Sequence, residues 1–174
     1  DLPIILMGYY NLILYFGIKK FVKKCKENGV DGLIIVDLQP EEDKDLLIEL
    51  KNNNIDLIRL ITPTTDENRL KLILQNASGF LYYVSVMGTT GQKSADIQEL
   101  QKSVNFIKQY SSLPVVPGFG IKDSEDVGKI CKIADGAVVG SSIIKIIENN
   151  LGQKKIMLEK IKSFTKKLKQ GTYT

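Results

Sequence analysis

Short apolar runs rich in β-branched residues alternate with helical patterns along this chain, and no other feature restricts its fold so much. The runs cover residues 3–9, 32–37, 56–61, 80–86, 113–117 and 136–139. Nearly continuous apolar runs of this length suit strands covered on both faces, as in a parallel sheet. Between them lie amphipathic helices. Ile18, Phe21, Val22 and Cys25 fall at i, i+3, i+4 and i+7, and Ile97, Leu100, Val104 and Ile107 keep a similar stripe. Further helices are expected over residues 41–52, 66–76, 124–132, 141–148 and 154–169. The last places Met157, Ile161, Phe164 and Leu168 on one stripe and reads its lysines as a solvated face.

Six β-α units without a composition break imply one α/β domain over residues 1–174. A dinucleotide-type open sheet needs its glycine-rich turn after the first strand. Here the glycine turns follow the last two runs, which favours a (β/α)8 TIM barrel. Such a barrel closes with eight strands, so the expectation is an incomplete one, holding strands three to eight and lacking two N-terminal β/α units. The opening at Asp1, with no methionine, fits a partial sequence.

Composition excludes several functions. The net charge is only +4 and the lysines are dispersed, with no basic stripe interleaved with aromatics, so nucleic acid is not an expected partner. No apolar stretch approaches a membrane span, and no signal or transit segment is read; no membrane role is expected. The chain has no histidine, which removes an imidazole base and leaves no expected metal site. Its two cysteines, Cys25 and Cys131, fall on expected helices and read as reduced core residues of a cytosol-like compartment.

The chemistry is expected at the strand ends. Gly118-Phe119-Gly120 and Gly140-Ser141-Ser142 each follow an apolar run and open a helix. Glycine lets main chain approach a ligand, and a helix start offers unpaired N–H groups at a positive dipole end. Two such turns side by side would form a phosphate cup; two ordinary helix caps are the plainer alternative. Met7 and Tyr9 could line an apolar pocket, with Asn11 closing a turn. Asp37 reads either as an acid at the barrel mouth or as a cap, and Glu41 and Glu42 as structural acids of a first helical turn. Residues 62–65, Thr-Pro-Thr-Thr before Asp66, read as a hydroxyl-capped helix start. The glycine-hinged loop 87–94 suits a lid or an ordinary connection. Phe119 would set its ring beside the phosphate, or in the core.

Six segments together carry a family resemblance: residues 2–11 (LPIILMGYYN), 29–42 (GVDGLIIVDLQPEE), 60–65 (LITPTT), 79–91 (GFLYYVSVMGTTG), 117–121 (PGFGI) and 135–147 (DGAVVGSSIIKII). In this order they resemble the tryptophan synthase alpha subunit. The resemblance implies a (β/α)8 barrel, a carbon–carbon lyase of tryptophan biosynthesis that cleaves indole-3-glycerol phosphate to indole and glyceraldehyde 3-phosphate. It implies no cofactor in this chain, a pyridoxal-phosphate beta subunit as partner in an α2β2 assembly, and the cytoplasm of a bacterium or a plastid stroma. Gly91, Gly118, Gly120, Gly140 and Ser141 match the phosphate-binding positions. Met7, Tyr9, Ile34, Leu60, Tyr82, Phe119 and Val138 match the indole pocket, and Thr90 matches the lid threonine. The family's catalytic carboxylate pair would lie upstream of Asp1, so no catalytic residue is expected in this chain and these 174 residues are expected to be inactive alone. Gln39 stands where the family carries a proline in its partner-facing loop, and Pro117 is unusual before GFGI. Another phosphate-binding barrel, such as a sugar-phosphate isomerase or epimerase, and a non-catalytic activator of the beta subunit are the competing readings.

Overall fold

A computed structural model describes residues 2–84, 93–118 and 120–173, with backbone alone for residues 93–96. The chain forms two compact units. The first holds residues 1–82 with 110–113, and the second residues 83–109 with 114–174.

In the first unit, β1 (Ile5–Gly8), β2 (Gly32–Ile35) and β3 (Asp56–Ile61) are parallel neighbours in that order. Met7 stands opposite Ile34, and Ile34 opposite Ile58. Successive side chains leave opposite faces of a strand. One face of the sheet therefore buries Leu33, Ile35 and Leu57 under α2 (Ile18–Glu27) and α3 (Lys44–Asn53), in a cluster with Val22, Cys25, Leu46 and Leu50. Met7, Ile34 and Ile58 belong to the other face, and Leu60, two residues on, joins them. In β2 and β3 burial on both faces explains the lack of polar alternation. The strands are crossed by helices in the expected places. β3 leads to α4 (Glu67–Leu74), and β4 (Leu81–Val84) follows it.

In the second unit, α5 (Lys93–Lys108), β5 (Val115–Gly118), α6 (Ser124–Cys131), α7 (Ser141–Glu148) and α8 (Lys154–Gly171) follow in turn. Leu100, Val104 and Ile107 of α5 are fully buried, as their spacing requires. Tyr83 is buried too and donates its hydroxyl to Ser103 of α5 at 3.0 Å. The α8 stripe points inward, with Leu168 buried and Met157, Ile161 and Phe164 half-buried.

Several expectations need correcting. Residues 136–139 form no strand of their own; they leave one isolated parallel bridge, Val138 to Gly118. Asn11 does not close a turn but lies inside α1 (Tyr10–Phe16), a helix that the continuous apolar run around it concealed. The threonines do not cap α4. Asp66 does, accepting the Arg69 N–H at 2.8 Å, while Thr62, Thr64 and Thr65 bond among themselves. A carboxylate takes the cap because its charge also suits the positive helix end. The helix expected from residue 41 is a short 3-10 turn, Pro40–Glu42, followed by α3 with Asp43 between them. Cys131 is only half-buried, unlike Cys25.

Candidate functional site

The glycine bends meet within the second unit. The Val138 N–H donates to the Pro117 carbonyl at 2.9 Å, beside the parallel bridge that sets Gly118 against Val138. Gly120 has φ +61, a left-handed conformation, and space is open where a side chain would begin. Gly140 is the residue preceding α7. Its carbonyl accepts from Ile143 at 2.9 Å and Ile144 at 3.1 Å, so the amides of Ser141 and Ser142 precede the first intrahelical donor. The Ser142 hydroxyl donates to the Ile121 carbonyl at 2.7 Å. Gly120, Gly140 and Ser141 are exposed and Gly118 is half-buried. First-turn amides and the helix dipole, next to a glycine bend, suit a dianion without any basic side chain.

The other expected site residues are placed as follows. Met7 on β1, Ile34 on β2 and Leu60 on β3 share one sheet face; Met7 is exposed, Ile34 buried and Leu60 half-buried. Tyr9 is exposed and immediately precedes α1. Tyr82 is half-buried on the opposite side of β4 from Tyr83, and burial raises its hydroxyl pKa. Val138 is half-buried at the bridge. Gly91, Thr90, Phe119 and residues 87–92 of the expected lid lie outside the described residues, whereas Lys93 and Ser94 begin α5.

Of the strand-end acids of the first unit, Asp37, Glu41 and Asp43 have structural partners, while Glu42 is an exposed acid of the 3-10 turn. Asp37 accepts the Tyr10 N–H at 2.8 Å and so caps α1 from a neighbouring loop. Glu41 pairs with Arg69 at 2.5 Å, and Arg69 also reaches Gln39. The Glu41 carboxyl is held low by its own backbone N–H and by the Arg69 guanidinium. Asp43 and Arg59, both buried, are in ion contact, and Arg59 also donates to the Leu38 carbonyl at 3.4 Å. Burial first, and then the Arg69 charge, lower the Arg59 pKa to about 10 against the pull of Glu41. Sequence reasoning missed this pair. The signal for it was an arginine inside an otherwise apolar strand, which needs a buried acid. Among the described residues no cluster of acids, cysteines or histidines could hold a metal ion, and no helix is long and apolar enough to cross a membrane.

The family model described as "Tryptophan synthase alpha chain" matches residues 1–173. This chain belongs to that family. Among solved structures, the tryptophan synthase alpha subunit of Campylobacter jejuni is 40% identical, with a TM-score of 0.83. The match covers 93% of this chain and 64% of that one. The alpha subunit of Legionella pneumophila strain Paris is 35% identical at a TM-score of 0.86, covering 98% of this chain and 62% of that one. A tryptophan synthase structure from M. tuberculosis is 26% identical at 0.84, covering 98% and 61%. This chain thus spans less than two thirds of these tryptophan synthase chains. Its fold is the corresponding part of their TIM barrel, an incomplete parallel β/α array. The family match disfavours a sugar-phosphate isomerase or epimerase.

Proposed function

We propose that this chain carries the phosphate and indole sites of a tryptophan synthase alpha subunit, which cleaves indole-3-glycerol phosphate to indole and glyceraldehyde 3-phosphate. One observation carries the reading: the two glycine bends lie side by side, joined at Val138–Pro117 and at Ser142–Ile121. Gly118, Gly120, Gly140 and Ser141 bind the phosphate, with Gly91 completing the set. By family resemblance, Met7, Tyr9, Ile34, Leu60 and Tyr82 of the first unit and Phe119 and Val138 of the second match indole-pocket positions, and Thr90 matches the lid threonine. Cleavage is a retro-aldol step that needs a carboxyl pair to move protons at the indole ring and at the glycerol hydroxyl. Asp37, Glu41 and Asp43 cannot serve, because each is already held by an amide or a guanidinium. The 174 residues are expected to bind the substrate without turning it over.

Membership of this family and the tryptophan synthase relatives support a beta subunit as partner. Pyridoxal phosphate belongs to that partner, and this chain needs no cofactor of its own. The setting is a bacterial cytoplasm or a plastid stroma. Calorimetric titration with indole-3-glycerol phosphate tests the reading. Saturable binding is expected, weakened about tenfold or more in Ser141→Ala through loss of a bond to a charged group. Indole release by the 174 residues would overturn the inactivity, and absence of saturable binding would overturn the phosphate site.

A further inference from the structure

The two bends are fastened at both ends, and the second fastening is a side chain. At the first, the Val138 N–H meets the Pro117 carbonyl at 2.9 Å. Four residues along each segment, the Ser142 Oγ meets the Ile121 carbonyl at 2.7 Å. Gly118 and Gly120, and Gly140 and Ser141, all lie between these points. We propose that Ser142 is a positioning residue of the phosphate site: its hydroxyl holds the first turn of α7 against the main chain at Ile121, so that amides from both sides converge on one dianion. This rests on the phosphate reading above.

The hydroxyl has one proton, and that proton goes to Ile121, so Ser142 offers the anion no hydroxyl donor of its own. Ile121 is buried, which anchors the carbonyl that Ser142 grips. The start of α7 does not depend on this bond, because Ile143 and Ile144 already close the first turn onto Gly140. Losing the hydroxyl therefore leaves the helix in place and frees its direction. A cup of amides loses affinity when one wall turns away, because the donors no longer point at the same oxygens.

The test measures dissociation constants for inorganic phosphate and for uncharged indole, by NMR titration of the 174-residue chain. The variants are Ser142→Ala, Ser142→Thr, Ser142→Val and Ser141→Ala. Ser142→Ala and Ser142→Val are expected to weaken phosphate binding about three- to tenfold, the worth of one neutral hydrogen bond. Ser142→Thr should stay within twofold of the parent, and indole should bind equally in all four. Threonine and valine share a shape, so their comparison isolates the hydroxyl even if the alanine variant folds poorly. Valine and threonine behaving alike would overturn the proposal, as would phosphate and indole weakening together. Ser141→Ala weakening phosphate while Ser142→Ala and Ser142→Val leave it unchanged would overturn it and spare the phosphate site. Absence of saturable phosphate binding in the parent chain would remove both.

Discussion

Single residues set the limits of this fold at two places. Gly120 sits at φ +61 with nothing crowding it, so Gly120→Ala meets a purely conformational penalty. The expected loss is about 1–2 kcal/mol, the cost of a left-handed alanine, with Gly120→Asn costing less; urea unfolding of the two variants measures the difference. The Arg59–Asp43 pair is the other place. Both groups are buried, so Asp43→Ala strands a guanidinium in the core. A loss of about 3–5 kcal/mol is expected for a broken buried pair. Replacing both residues with apolar ones should recover much of it, and equal unfolding midpoints for the single and double variants would contradict this.

At the level of elements, α8 docks through its last residue. A Cβ on Gly171 would collide with the main-chain oxygen of Ser124, at the start of α6. Backbone cannot yield as a side-chain tip can, so Gly171→Ala should cost at least the 1–3 kcal/mol typical of overpacking, read as a lowered thermal midpoint. Asp135 ties β5 to the segment before α7, accepting the Val115 N–H at 2.8 Å and pairing with Lys108 at 2.9 Å. Burial pushes its carboxyl up, but the Val115 amide and Lys108 outweigh that and hold it below the usual range. A lowered folded pKa means stability that is present above the unfolded value, about 3.9, and lost as pH falls through the folded one. Asp135→Asn should therefore be less stable than the parent near pH 6, by a gap that narrows as pH falls below about 3.9. A gap that stays constant across that range would show that Asp135 does not act through its charge.

On the scale of the whole chain, the exposed apolar surface of the first unit governs behaviour in solution. Leu2, Met7, Tyr9, Leu12, Leu14 and Tyr15 are all more than half exposed, and among the described residues β1 pairs with β2 alone. Patches and open strand edges of this kind drive association. The isolated 174 residues are expected to self-associate with rising concentration in sedimentation velocity. The double change Leu12→Lys and Tyr15→Lys should shift the distribution toward monomer. A single concentration-independent species in the parent chain would count against this.

The sequence by itself settled the β/α alternation, the parallel strands and the inward helix stripes, because periodicity records which side of an element meets the core. It also pointed to both glycine bends, although only Gly140 opens a helix directly, since α6 begins at Ser124 behind its Asp123 cap. It misjudged residues 136–139 and Asn11, where an apolar run says that burial occurs but not in which backbone form. It missed the Arg59–Asp43 pair and the Ser142–Ile121 bond, whose partners lie 16 and 21 residues apart. Such contacts have no periodic trace: whether a buried charge finds its counter-ion, or a hydroxyl its carbonyl, is decided only when packing brings distant segments together.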